Sequence, residues 1–452
     1  MGYDFLKIER PQNLKDIAGL LKRDVTFNSG IISDVSKIIE DVRNSGDKAL
    51  FSYCAKFDMI DAKSISDVKV SKDEIACAMA EVTAGYPELV EAIDAAYKNL
   101  VEYHSAQFEK EPKAWSIGGG SGRRLGQISN PITRAGLYIP GGRYIYPSSV
   151  LMSAVPAAIA GVKDIVVCTP PQKNGKINKV LLYLFAFLNI NEVYMVGGAH
   201  AIAALAYGTE TIKRVDKIAG PGNIYVTVAK KLVYGSVGID SLAGPSEVLI
   251  IADESADGAF VASDLLSQAE HDPDAKSILL TTEQNLASET ISQVYRQLDF
   301  LYETYPNSFS RDIVIRSLEK NCRIFLNPDI GFLIDICNLI APEHLEIMAN
   351  DFDEVLCGIK NAGAIFLGNY TPVAVGDYIC KTNHMIPTGD NARFSSPLGV
   401  YDFCKKSSVA FYDKEHLRKE RKYIEILSEF ENLLAHNNSV KIRFKGDKDY
   451  IK

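Results

Sequence analysis

The stretch Arg134-Ala135-Gly136-Leu137-Tyr138-Ile139-Pro140-Gly141-Gly142 decides how this chain reads. Ala135–Ile139 is almost continuously apolar and does not alternate, then breaks at a Pro-Gly-Gly turn. A strand of that kind is covered on both faces, as in a parallel sheet. The segments after it fit. A helix is predicted over Ser148–Ala160, a strand over Asp164–Cys168, a helix over Ile177–Leu188 and a strand over Glu192–Val196. Helices over Ala199–Tyr207 and Asn223–Val233 follow. The alternation resumes with a strand at Glu247–Ala252, a helix from about Ala256 to His271, a strand at Ser277–Thr281 and, much later, one at Ala364–Leu367. Strand–helix alternation of this kind is the signature of α/β architecture.

Outward from this region the pattern changes. Residues 1–130 read as polar helices, with Ile75–Val82 and Leu89–Leu100 as examples. Gly118-Gly119-Gly120-Ser121-Gly122 reads as a mobile surface loop. Lys414–Leu434 reads as one charged helix whose apolar stripe, Ile424, Leu427, Phe430 and Leu434, needs a partner surface. On periodicity alone that partner is the chain's own core.

The 452 residues bound the answer to roughly three domains, or two larger ones. Apolar residues at 47% give a sizeable core, so no disulfide or metal is needed for folding. The formal charge of -8 argues against a chain-wide nucleic-acid or anionic-membrane surface. The eight cysteines are scattered without a C-x-x-C pair, so zinc-finger and thioredoxin-like readings have no support. The opening Met1–Arg10 carries acids and no apolar stretch, unlike a signal peptide, and the longest apolar run, Val180–Leu188, is too short to span a bilayer. The expectation is a cytoplasmic protein with reduced thiols.

Glycines after Ile139 and Val196, and the near miss Gly220-Pro221-Gly222-Asn223 to a dinucleotide fingerprint, would let a ligand approach the backbone at strand ends, or simply reverse the chain. The Gly244-Pro245 turn places Ser246 at another strand end. Gln268 and His271 share a helix face, as a metal pair does; a hydrogen-bonded histidine at a helix end is the plainer alternative. Glu343 and His344 put a carboxyl beside an imidazole after Pro342, which suits an irregular turn and proton transfer near neutral pH, or simply a surface turn. Asp377 and His384, in a loop with few charges, are further ligand or acid–base candidates, and Glu431 and His436 flank the end of the C-terminal helix.

In this order the motifs closely resemble histidinol dehydrogenases. They are Gly-Leu-Tyr-Ile-Pro-Gly-Gly at 136–142, Tyr-Pro-Ser-Ser-Val-Leu-Met at 146–152, Gly-Pro-Gly-Asn at 220–223 and Asp-Ser-Leu-Ala-Gly-Pro-Ser-Glu at 240–247. Ala-Ser-Asp-Leu-Leu-Ser-Gln-Ala-Glu-His at 262–271, Ala-Pro-Glu-His-Leu at 341–345, and Gly-Asp-Tyr with Thr-Asn-His at 376–384 complete the set. The resemblance runs from about Arg134 to the C-terminus. It implies oxidation of L-histidinol through L-histidinaldehyde to L-histidine with NAD and zinc, the last step of histidine biosynthesis, in a homodimer that shares its active sites. It also implies catalytic roles for Glu343 and His344 and zinc ligands Gln268, His271, Asp377 and His436. Substrate contacts would come from Ser246, Gln268, His271, His344, Asp377, Glu431 and His436, with His436 and Glu431 reaching in from the other subunit. Cofactor contacts would come from Tyr138, His200 and Asn223. His200 stands where the family usually has glutamine.

The combined expectation is an α/β protein of two Rossmann-like parallel-sheet domains with a helical N-terminal segment and an extended C-terminal arm. Residues 131–235 form the cofactor domain, residues 1–130 with 236–385 the substrate and zinc domain, and residues 386–452 the dimerisation arm. A related zinc and NAD dehydrogenase for another small alcohol, such as a sulfonated diol, is the near alternative. A zinc hydrolase and a non-catalytic metal-binding regulator are the distant ones.

Overall fold

The computed structural model describes residues 4–18, 28–120, 122–141, 145–242, 244–380 and 382–446. Ser121, Gly142 and Ala243 of the motifs above lie outside the described residues. The chain forms two compact units, one of Met1–Phe108 with Ile132–Phe403 and one of Glu109–Pro131 with Cys404–Lys452.

The first unit holds two fully parallel sheets with one wiring plan. The five-stranded sheet runs β6-β5-β4-β7-β8, from β4 (Arg134–Tyr138), β5 (Asp164–Cys168), β6 (Glu192–Tyr194), β7 (Lys217–Ala219) and β8 (Gly238–Ile239). The six-stranded sheet runs β1-β11-β10-β9-β12-β13. Its members are β1 (Ile8–Glu9), β9 (Glu247–Ala252), β10 (Lys276–Thr281), β11 (Arg323–Leu326), β12 (His344–Met348) and β13 (Ala364–Leu367). In each, the first strand of the repeat is central, the next two lie on one side and the following two on the other. That is the doubly wound order expected from the strand–helix alternation.

The strands are apolar on both faces because helices cover both. The helix Gly198–Tyr207 buries eight consecutive residues, Ala199–Ala206. The N-terminal part divides itself between the sheets. β1 extends the larger sheet through β11. The helix Ser29–Tyr53 instead turns Val35, Ile38, Ile39 and Val42, a helical stripe, into one apolar cluster with Ala199, Ile202 and Ala203 beneath the smaller sheet. The sequence reading assigns this segment to the other domain; its apolar spacing is regular, but periodicity does not say which sheet a stripe covers.

The second unit is an antiparallel sheet, β14-β3-β2, built from β2 (Ala114–Ile117), β3 (Arg123–Pro131) and β14 (Cys404–Tyr412). Gly118, Gly120 and Gly122, all at positive φ, make the turn of the β2–β3 hairpin, so the glycine run is a strand reversal between two strands the sequence reading missed. The expected helix Lys414–Leu434 is two helices, Lys414–Phe430 and Leu434–Lys441, because Asn432 adopts φ 57° at the break. Of the stripe, Ile424 is half-buried, while Leu427, Phe430 and Leu434 are left exposed among the described residues. No described helix is long and apolar enough to cross a membrane. All eight cysteines are unbridged.

Candidate active site

Two constellations of the first unit bring the sequence candidates together, and they sit at opposite ends of their sheets. In the five-stranded sheet, a cavity of about 1200 Å³ opens at the carboxyl ends of the strands, where the order reverses between β4 and β7. Tyr138, His200 and Asn223 all line it. Tyr138 accepts the Gly198 N–H with its phenol oxygen at 3.1 Å, and burial pushes the phenol pKa up. Asn223 caps the helix Ile224–Val233, its Oδ1 accepting the Tyr225 and Val226 amides at 3.0 and 3.2 Å. Gly220, at φ 127°, lies so close to the Tyr138 carbonyl that any Cβ would collide with it, which accounts for glycine there. His200 is buried, and its Nε2 lies 2.8 Å from Asp58 Oδ2.

The cleft suits a dinucleotide. Two helix N-termini, at Gly198 and Ile224, start at its wall, so the positive ends of helix dipoles lie at the space, while the Gly198, Tyr225 and Val226 amides are taken up by Tyr138 and Asn223. Lys37, Lys56 and Lys173 add positive charge around it.

In the six-stranded sheet the candidates gather at the amino ends of β9 and β12, against the usual placement of ligands at carboxyl ends. The reason is the helix Gly258–Ala269. It returns antiparallel to β9 and delivers Gln268 and His271 to the sheet's amino edge. Ala341, at φ 49°, ends the preceding helix, and Pro342 and Glu343 form the irregular turn expected there. His344 then opens β12 rather than continuing that turn. Asp377 lies in the short helix Val373–Tyr378, not in a loop, with His384 beside it: His384 Nδ1 is 3.2 Å from the Asp377 carbonyl oxygen and 3.9 Å from its Oδ1.

The buried centre is an acid and an imidazole in opposite states. Glu343 Oε2 accepts the Glu247 N–H at 2.8 Å. Burial raises the Glu343 carboxyl well above the ordinary carboxylate range, helped by the negative Glu247 and Asp377 and opposed by the hydrogen bonds from the Glu247 amide and Ser246. His344 Nδ1 is 3.0 Å from the Glu247 carbonyl oxygen, and burial, with His271 and His384 nearby, pushes its pKa down to about 4. His384 is likewise lowered to about 4, and burial raises Asp377 to about 6. These mutual influences place Ser246, His271, Glu343, His344, Asp377 and His384 in one constellation.

Gln268, almost fully buried, has an Nε2 with no hydrogen-bond partner. The Gln268 carboxamide oxygen, the His271 imidazole and the Asp377 carboxylate make a donor set that fits a borderline cation such as zinc, once the carboxamide turns Oε1 rather than its donor Nε2 to the ion. Glu431 and His436 are exposed in the second unit, at the end of the helix Lys414–Phe430 and in the helix Leu434–Lys441.

Several contributors escaped the sequence reading. Glu247 holds both Glu343 and His344 through its backbone and pairs Oε1 with Lys276 Nζ at 2.7 Å. Asp264 and Glu346 form a buried carboxyl pair behind the site, and Glu346 Oε1 accepts the Val373 N–H at 2.8 Å at the start of the helix that carries Asp377. Asp264 does lie four residues before Gln268, on the same helix face, but an acid on a helix ordinarily reads as solvated.

Comparison with known proteins gives the family. The family model described as histidinol dehydrogenase matches residues 21–444. A histidinol dehydrogenase of Clostridium acetobutylicum is 44% identical over 431 residues, covering 95% of this chain and 96% of its own. That of Geobacter metallireducens is 43% identical over 444 residues, 98% of each chain. The crystal structure of histidinol dehydrogenase from Elizabethkingia anophelis superposes with a TM-score of 0.89 at 37% identity, covering 98% of this chain and 99% of that one. The chain belongs to the histidinol dehydrogenase family, and it is an oxidoreductase of that family.

Proposed function

We propose that this protein carries out the NAD-dependent, zinc-requiring oxidation of L-histidinol to L-histidine through L-histidinaldehyde, as a cytoplasmic homodimer. The observation that carries the reading is the pairing of Glu343 with His344. A carboxyl whose pKa burial raises stands beside an imidazole whose pKa burial lowers, both anchored on Glu247.

Gln268, His271 and Asp377 would hold the zinc, with His436 of the partner subunit as the fourth ligand. The metal, when bound, supplies a Lewis acid that orients the substrate's imidazole and amine. NAD, when bound, supplies the hydride acceptor that no side chain can provide. Tyr138, His200 and Asn223 are its contacts in the cleft. His344 takes the alcohol proton on Nε2, because its Nδ1 is committed to the Glu247 carbonyl. Glu343 accepts a proton from the water that adds to the aldehyde. It does so as the carboxylate, the form that a cation bound at the neighbouring ligands would favour. Ser246, with Glu431 of the partner subunit, contacts the substrate.

On this reading the six-stranded sheet carries substrate and metal, the five-stranded sheet carries the cofactor, and residues 386–452 make the dimer. The exposed apolar residues Leu427, Phe430 and Leu434 support that last assignment.

The test is a steady-state assay of histidinol with NAD, before and after chelation. Turnover with two NAD reduced per histidinol, lost on chelation and restored by zinc, is expected. Reduction of NAD by another small alcohol but not by histidinol would transfer the reading to a sister dehydrogenase.

A further inference from the structure

Cys54 and Asp58 are four residues apart on a π-helical turn, Cys54–Asp58, that ends the long N-terminal helix. Such turns recur at functional sites. Both side chains point at His200, on the helix Gly198–Tyr207. The Cys54 thiol is bonded to the Asp58 carboxylate, and His200 Nε2 lies 2.8 Å from Asp58 Oδ2. Asp58 Oδ2 also accepts the Gly197 N–H at 3.1 Å. One ligand atom from each of Cys54, Asp58 and His200 falls within 4.8 Å of the others, the only such trio of His, Cys, Asp or Glu among the described residues. Cys54 is 0% exposed, the His200 side chain 1% and that of Asp58 5%, so water does not compete for them. Asp58 and His200 also line the cofactor cleft.

We propose that Cys54, Asp58 and His200 form a second divalent-metal site, of thiolate, carboxylate and imidazole, in the wall of the cleft. The sulfur selects a borderline or soft cation, zinc or cobalt, over magnesium or calcium. Without a cation, the Cys54 thiol and the His200 imidazole would share the one Asp58 carboxylate as donors. Binding exchanges these contacts. The thiol proton leaves to solvent, the imidazole keeps a single proton but carries it on Nδ1, and the cation takes the place between the three donors. Cys54, raised by burial and by Asp58 in the metal-free state, then binds as thiolate because the cation outweighs both effects. The trio shares no residue with the Gln268, His271 and Asp377 set. His200, which the family pattern leaves unexplained, is here a ligand.

Cobalt(II) added to the purified protein, with its resident metal in place, tests this. The Gln268, His271, Asp377 and His436 set has no sulfur, so a sulfur-to-cobalt charge-transfer band in the near ultraviolet reports only on a cysteine. The expected result is such a band saturating at one cobalt per chain, abolished in Cys54→Ser and retained in Cys77→Ser, where the replaced thiol is exposed. His200→Gln should weaken cobalt binding by more than about tenfold. No band, or a band untouched by Cys54→Ser, overturns the site. Should Cys54→Ser not fold by thermal melting, unchanged cobalt affinity in His200→Gln overturns it instead. None of these readouts depends on turnover of histidinol.

Discussion

The Nδ1 of His344 lies 3.0 Å from the backbone carbonyl oxygen of Glu247. A carbonyl only accepts, so Nδ1 carries the proton and Nε2 keeps its lone pair. With the pKa down to about 4, through burial first, the ring is neutral above that pH and charged below it. His344→Asn should therefore lower the first oxidation by about 10²–10⁴ while zinc content stays unchanged. In the wild type, protonation of His344 should cost activity only as the pH falls toward about 4. A near-wild-type rate in the variant would remove His344 from the proton transfer.

Glu343 has its pKa shifted upward, so it ionises late. Glu343→Gln should slow oxidation of histidinaldehyde more than that of histidinol. The rise of the aldehyde rate with pH in the wild type should flatten in the variant, because the gain comes from loss of the Glu343 proton. Equal slowing of both steps, in a stopped-flow comparison of the two substrates, would count against separate roles.

Asp264 is raised to about 6 by burial, and Glu346 is raised well above the ordinary carboxylate range, by burial and by Asp264. The folded chain thus binds more protons here than the unfolded chain, whose aspartate titrates near about 3.9. Stability contributed by this pair is full below that pH and is lost as pH rises through about 6. Asp264→Asn, which keeps a hydrogen-bond donor and cannot ionise, should flatten that part of the melting-temperature profile. Thermal melts of variant and wild type between about pH 4 and 8 measure the difference.

Sharing of the site between subunits has its own check. Chains carrying His436→Ala mixed with chains carrying His271→Ala should regain partial activity in heterodimers, since one of the two sites then has a complete ligand set. No recovery after verified subunit exchange would mean that the tail serves its own chain.

The parallel sheets were legible because their strands are apolar on both faces, as at Ala135–Ile139 and Glu247–Ala252, and few other arrangements bury such runs. β7, β11 and β12 were not, since Lys217–Ala219 is too short to carry a pattern and His344 and Glu346 put ionisable groups into a fully buried strand. β2, β3 and β14 alternate weakly and lie largely exposed, so no apolar periodicity marks them. The site residues were legible as chemistry but not as a place. Ser246 reads as a strand-end residue, yet which end of the sheet it occupies follows from the return path of the helix carrying Gln268. Asp58 left no signal, because its partner His200 lies 142 positions away.

The use of opposite sheet ends leaves one edge vacant. At the carboxyl ends of β9 and β12 the chain closes on itself, with the Asp253 N–H bonded to the Met348 carbonyl at 3.2 Å and the Asn350 N–H to Asp253 Oδ2 at 2.8 Å. A strand of this length spans about 17–20 Å, which separates that edge from His344. The turns at Asp253–Ser255 and Asn350–Asp351 are thus natural attachment points for a fluorophore or an affinity handle, a strand's length away from the chemistry around His344.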